Sequence, residues 1–528
     1  MNDFNSNITA LVASVNEKLG IATNVNSVQA CIESMGVRSK DVHDDFGFKD
    51  ISELSSFIFK KNQEQLPLVL SQKGVSALTK TFVWSDYFFL KNKLFFANYS
   101  KGLFHILPVL TQILTILLFG YSLWAYLGFN NLQSTAVVLG VIFGLIYSGG
   151  YVQVIGRQAT FYWNFKEYHK AAYIINQSNR SALKNLLKVL AVGFLINLFT
   201  HILPPFLYLI TASYTLLISS ILIVLAPFHV IKKRWVINFV LGIPTLFSLL
   251  FLNYDIPVYY IHWSGIIMAC IIGRVYVWNY FRRITTTDLN FKSPLKESMI
   301  HKNYLYFTYG ILLYLFIFLD RIIAWSLYNK SSNQVIYYEK DYEIGMDIAI
   351  IMFFLLAGVL EFSVSYFSKF MDIRQKIISF KNRQQFNLKF RNMYVLHSTI
   401  LLLSSACIAY FIYWFMFNEQ GYNTIFEVPI EQKSIKVAII GAMGYLFLTW
   451  AMLNALYMFT LNKVKVVLQY MAIATALNLV IGYFASRLIS YEYASIGMLM
   501  GSLLFCVLTV REIFKFLRKL DYHYYAAY

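Results

Sequence analysis

From Gly102 onward the sequence is a succession of twelve apolar blocks. Each is near the roughly 20 residues that an α-helix needs to cross a hydrocarbon core about 30 Å thick. Their approximate limits are 102–126, 134–155, 188–210, 212–230, 235–252, 256–280, 304–327, 346–367, 395–417, 436–461, 464–486 and 493–517. No other feature constrains the fold as strongly, because backbone inside lipid must satisfy its own hydrogen bonds, and runs this long do so as helices. The expected class is all-α, a polytopic membrane protein of about 12 transmembrane helices. Composition excludes a soluble chain of this length. Only 14% of residues are charged and 58% are hydrophobic, against about 25% charged in soluble domains.

The net charge of +18 does not point to nucleic acid, since the basic residues lie between apolar blocks rather than in one stripe. Their distribution orients the chain. Alternate loops carry Arg157, Lys166, Lys170, Arg180, Lys184 and Lys188, then Lys232, Lys233 and Arg234, then Arg282, Arg283, Lys292, Lys296 and Lys302. The same parity continues with Lys369 through Arg391, with Lys463 and Lys465, and with the tail Arg511, Lys515, Arg518 and Lys519. The intervening loops hold only Lys330, Lys340, Lys433, Lys436 and Arg487 as basic residues, beside Asp255, Glu339, Asp341, Glu343, Glu427 and Glu431. By the positive-inside rule both termini are expected in the cytosol. Met1 to Gly20 lack a basic segment followed by an apolar core, so no cleavable signal is expected there.

Longer basic segments follow the second and eighth blocks, at 156–187 and 368–394, which are equivalent positions in two six-helix halves. The expected organisation is a helical cytosolic domain at 1–65, a linker and interfacial helix at 66–100, a first lobe at 101–280, a cytosolic linker at 281–303 and a second lobe with its tail at 304–528. The first domain is read from Ile8, Leu11, Val12, Val15 and Leu19, then Ile51, Leu54, Phe57 and Ile58, which recur at helical spacing on either side of the turn-like Phe46-Gly47-Phe48. Pro108, Pro204, Pro205 and Pro244 all fall inside blocks of the first half, which is therefore expected to be the more bent.

Cys31, Cys270, Cys407 and Cys506 are too dispersed for a disulfide framework or a metal site, and neither metal nor cofactor is expected. No HExxH, P-loop or GxSxG occurs, so a transporter is expected rather than an enzyme. The informative residues are ionisable groups inside blocks, each costly in hydrocarbon unless it faces a partner or a cavity. Asp320 and Arg321 lie about 10 Å inside the outer end of the seventh block. Neighbours on a helix point about 100° apart, so Asp320 must find its partner elsewhere. It reads as an ion-responsive or sugar-binding carboxylate, or as half of a static pair with another helix. Glu361 is a second carboxylate, able to snorkel toward Lys369. Arg274 lies about two turns from Arg282, and His201 near the middle of the third block. Trp325 is the one aromatic singled out for stacking on a sugar. Gly140-x-x-x-Gly144 and Gly497-x-x-x-Gly501 permit close helix packing, and Asn197, Asn454 and Asn478 can bridge helices.

Asp320-Arg321-x-x-x-Trp325, preceded by Tyr309-Gly310, resembles the Asp-Lys-x-x-x-Trp segment of the Pel-type exopolysaccharide transporters. These are a branch of the multidrug/oligosaccharidyl-lipid/polysaccharide (MOP) flippase superfamily. The ending with Gly497 and Gly501, then Leu517-Arg518-Lys519-Leu520-Asp521-Tyr522, is similar to that family's Leu-x-x-Leu-acidic-Tyr tail. Arg321 stands where the family usually has lysine, and the N-terminal domain is additional. The resemblance implies a divergent exporter or flippase whose two six-helix lobes open alternately to the two sides. Its partners would be the bilayer, a polysaccharide or lipid-linked glycan and, through residues 1–65, a polysaccharide synthase. Asp320, Arg321, Trp325, Glu361, Arg274 and His201 are the candidates for substrate or ion translocation. The alternatives are a glycan polymerase or glycosyltransferase, a scaffold recruiting a synthase, and drug efflux within the same superfamily.

Overall fold

The computed structural model describes residues 2–64, 95–96, 99–100, 107–285, 296–327, 335–377, 383–418, 421–422, 424 and 430–526, apart from 20, 21, 23, 117 and 253. Most of the expected linker and interfacial helix at 66–100, and 286–295 of the 281–303 linker, lie outside the described residues. The N-terminal helices are α1 (Asn2–Leu19), α2 (Val25–Ser34), α3 (Ser39–Phe46) and α4 (Ile51–Glu64). They share a core of Ile8, Leu11, Val12, Val15, Leu19, Val28, Ile32, Val42, Leu54 and Ile58. Gly47 ends α3 at φ 72°, a conformation glycine adopts without a Cβ clash.

Among the described residues twelve apolar helices follow. They are α5 (Leu107–Ile116), α6 (Asn131–Asn164), α7 (Tyr168–Thr200), α8 (Pro205–Val230), α9 (Val236–Phe251), α10 (Val258–Ile284), α11 (Lys296–Trp325), α12 (Lys340–Ile377), α13 (Arg383–Phe417), α14 (Gln432–Thr460), α15 (Val464–Leu488) and α16 (Ala494–Arg518). Ten of them are long and apolar enough to cross a membrane, and α5 and α9 are shorter. The short α17 (Leu520–Ala526) closes the chain against α2, where Ser27 Oγ lies 3.4 Å from Asp521 Oδ2.

Local chemistry sets several boundaries. Asn130 and Gln133 cap α6 reciprocally, each side chain accepting the other's backbone N–H at 2.8 and 3.1 Å. Later in α6, Ile155–Ala159 winds as a π-turn. The first block ends earlier than expected, because Gly120 turns the chain into a buried, non-helical loop in which Gln112 Oε1 accepts the Leu123 N–H at 2.8 Å. The third block also needs correcting. The helix begins at Tyr168 and stops at Thr200, His201 turns at φ 50°, and Pro204-Pro205 start α8. Apolar residues on both sides of that turn conceal it from a hydropathy reading. His201 is therefore exposed at a helix end rather than mid-span. Asn197 closes the turn by bonding both N–H and C=O of Leu203 at 2.9 and 2.8 Å.

The most extensive helix pairings are α12 with α14 and α6 with α8. These are the second and fourth members of each set of six. One core gathers α11 to α16, and another gathers α6 to α10. Gly140 and Gly144 admit Tyr214 and Ile218 of α8, while Gly497 and Gly501 pack on α15. The two sets meet where α6 crosses α11. A Cβ at Gly149 would stand 2.6 Å from the Gly310 carbonyl and 2.5 Å from Tyr314, so the crossing depends on the absent side chain.

Candidate functional site: a charged cluster on α11 and α12

Asp320 and Arg321 lie in the last two turns of α11, whose final carbonyls are capped from α15. Arg487 donates to the carbonyls of Ile323 and Ser326 at 3.1 and 2.9 Å. The chain then returns into α12 with Tyr337 N–H donating to the Trp325 carbonyl at 3.0 Å. That return places the first two turns of α12 beside the last two of α11.

Asp320 is fully buried, and its Oδ2 accepts the Tyr342 hydroxyl at 2.7 Å. Arg321 does not pair with its neighbour. Its guanidinium reaches across to Glu343 through Nη1 and to Asp347 Oδ1 at 3.0 Å through Nη2. The side chains of Arg321 and Glu343 are only 6% and 3% exposed, whereas that of Asp347 is 66% exposed. The cluster is therefore closed on one flank and open on the other. Tyr445 of α14 stands buried beside Arg321, and the buried Trp325 ring lies 5.4 Å from Tyr338.

Three carboxylates surround a single guanidinium, which pairs with two of them, Glu343 and Asp347. Asp320 Oδ1, Glu343 Oε1, Arg321 Nε and Trp325 Nε1 are buried without a hydrogen-bond partner among the described residues. Unpaired acceptors beside surplus negative charge in a low-dielectric setting favour uptake of a proton or a small cation. A sugar hydroxyl, which both donates and accepts, also satisfies such groups.

The sequence candidates separate spatially. Asp320, Arg321 and Trp325 belong to one cluster. Glu361 does not join it. It lies fourteen residues beyond Asp347 on α12, about 21 Å along the helix, and accepts Arg234 Nη1 at 3.2 Å instead of snorkelling toward Lys369. Arg274 lines a separate crevice among α7, α8 and α10. Sequence reasoning missed Tyr342 and Glu343, which read as loop residues ahead of the eighth block, and Asp347, which falls at the outer end of that block. It also missed two buried histidines, each paired with a tyrosine: His262 with Tyr214 and His397 with Tyr457.

Neither protein-family models nor curated proteins give a match by sequence. Solved structures do match by shape. A point mutant of the Vibrio cholerae MATE transporter VcmN superposes with a TM-score of 0.56 over 82% of this chain and 98% of its own, at 13% identity. The chain has the MATE-transporter fold. An outward-facing MATE family transporter of the MOP superfamily gives 0.55 over 81% and 96%, at 10% identity. A MOP superfamily transporter from Pyrococcus furiosus gives the same score, coverage and identity. The helical membrane fold that the resemblance implies thus agrees with these structures. Within this MATE fold the charged cluster lies in the second set of six helices, and the His262–Tyr214 pair in the first.

Proposed function

We propose that the protein is an exporter or flippase of a polysaccharide or lipid-linked glycan in a bacterial inner membrane, working by alternating access of two six-helix halves. The observation that carries the coupling part is the buried surplus of carboxylate over guanidinium at Asp320, Arg321 and Glu343. A group of this kind has different solvation in inward-open and outward-open states. Loading it with a proton or cation therefore biases one state over the other. Arg321 holds two of the carboxylates in place, and the Trp325 ring, fully buried against Tyr338, meets a sugar face only when the cluster opens.

Contacts between the halves on the basic side support a two-state arrangement. Arg157 lies over the Tyr306 ring at 4.9 Å and donates to Asn462 at 3.3 Å. Asn303 donates to Gln158 at 2.6 Å, and Arg234 pairs with Glu361. Opening toward that side requires these polar contacts to part, and each can be replaced by water at small cost. The Asp320-Arg321-x-x-x-Trp325 segment and the Leu517–Tyr522 tail favour a glycan over a drug. The outward-facing structural neighbour, a multidrug resistance transporter, favours the drug-efflux reading.

The deciding experiment compares a deletion strain complemented with wild type, empty vector or Asp320→Asn. Loss of one surface glycan with retention of its internal or lipid-linked precursor, reproduced by Asp320→Asn at normal protein level, is expected. Unchanged surface glycan with altered drug sensitivity would move the assignment to efflux. Normal export by Asp320→Asn would remove the coupling role.

A further inference from the structure

The crevice holding Arg274 has no place in the cluster described above. It measures about 280 Å³ and lies among α7, α8 and α10, lined by Asn176, Asn179, Val224, Pro227, Arg274 and Trp278 among others. Arg274 sits ten residues before the end of α10, roughly 15 Å along the helix from its basic terminus. Arg321 is answered by Glu343 and Asp347, Arg234 by Glu361 and Arg487 by backbone carbonyls. Among the described residues no carboxylate pairs with Arg274, although its guanidinium is exposed to the crevice and its surroundings. Asn179 Oδ1 is buried there, also without a hydrogen-bond partner among the described residues.

Two of the crevice's lining residues, Val275 and Trp278, belong to an exposed apolar surface along α7 and α10. Ile271, Val275 and Trp278 on α10, and Leu183 and Leu187 on α7, are all exposed large apolar residues. At the basic rim, the Arg282 guanidinium lies 5.3 Å from the Trp278 ring centroid and adds a second positive charge. An occupant must therefore carry an anionic head that also accepts and donates hydrogen bonds. It must carry an apolar tail, and it must arrive from within the bilayer.

We infer that this crevice binds an anionic phospholipid of the leaflet on the basic side, its phosphate on Arg274 and an acyl chain along Val224, Val275 and Trp278. Asn176 and Asn179 supply polar contacts to the head. The complementarity is of charge at one end and of apolar surface at the other, which a soluble anion would not use.

The test is native mass spectrometry of the full-length protein, delipidated and then titrated with phosphatidylglycerol or phosphatidylcholine, with inorganic phosphate as a separate arm. Wild type is expected to retain one phosphatidylglycerol in preference to phosphatidylcholine, and Arg274→Gln to hold it about tenfold more weakly. Val275→Trp, which fills the apolar wall and leaves the charge, should also lower retention. It reads the same site if Arg274→Gln fails to fold. Equal retention of phosphatidylglycerol by wild type and Arg274→Gln, or no headgroup preference in wild type, would overturn the inference. So would full retention by Val275→Trp, or displacement of the lipid by millimolar inorganic phosphate alone.

Discussion

Replacing Arg321 with glutamine leaves Glu343 without its cation where only 3% of the glutamate side chain reaches solvent. Removing one partner of a buried ion pair costs about 3–5 kcal/mol, because the remaining charge stays desolvated. The other carboxylate on the same guanidinium is different. Asp347 is 66% exposed, and pairs of that kind contribute about 0–1 kcal/mol. Nearly all of the penalty should therefore reside in Glu343. The double variant Arg321→Gln/Glu343→Gln removes the stranded charge and should recover about 1–3 kcal/mol relative to Arg321→Gln alone. Arg321→Gln/Asp347→Asn should recover little. Thermal inactivation of purified protein, read as the fraction remaining monodisperse, gives the order of the variants. A larger rescue by Asp347→Asn than by Glu343→Gln would refute the assignment of Glu343 as the buried partner.

Alanine at Gly149 pushes a methyl into the Gly310 carbonyl and Tyr314. A stability loss of about 1–3 kcal/mol is expected in thermal denaturation, and no loss would mean that α6 and α11 cross more loosely than described. Arg234→Gln breaks a half-exposed pair with Glu361, changing stability by about 0–1 kcal/mol but raising the reactivity of a cysteine placed between the halves on the basic side. Unchanged reactivity would show that the pair does not hold them together. Burial, with Lys463 and Lys519 nearby, pushes His523 down to about 4 from its ordinary 6.5. A released tail takes up the proton more readily, so docking of α17 is fully favourable above about pH 6.5 and weakens as pH falls toward about 4. Hydrogen-exchange protection at Leu520–Ala526, corrected for the intrinsic exchange rate, that stays constant from pH 7 to 5 would contradict this. Burial likewise pushes the Cys31 thiol up to about 11, so maleimide labelling at pH 7 should be slow until the N-terminal helices unfold.

Asp320 is legible in the sequence because a carboxylate inside a long apolar run has no cheap explanation. Its partners are not, because α12 begins at Lys340 while its apolar run begins several residues later. Tyr342 and Glu343 therefore read as part of a polar loop, although both are buried against α11. His201 misleads for the opposite reason, since apolar residues continue through a turn that only the Pro204-Pro205 pair marks. Hydropathy registers what lipid tolerates, and a short break between spans is tolerated as easily as a helix. The aromatic-rich composition also hides His262 and His397. Their significance lies in the tyrosine hydroxyls they meet on α8 and α14, which no local pattern announces.

The π-turn in α6 stores one residue more than regular winding needs, leaving the hydrogen-bond ladder one step out of register across Ile155–Ala159. Arg157 and Gln158, which fasten α6 to Asn462 and Asn303, are both within it. Deleting a single residue there would restore regular winding and turn Thr160–Asn164 by about 100° relative to the preceding helix. Such a surplus residue can also pass along a helix one position at a time, each step exchanging one backbone bond for another. The end of α6 is thus able to swivel its polar side chains off the second half and back again while it remains a helix throughout.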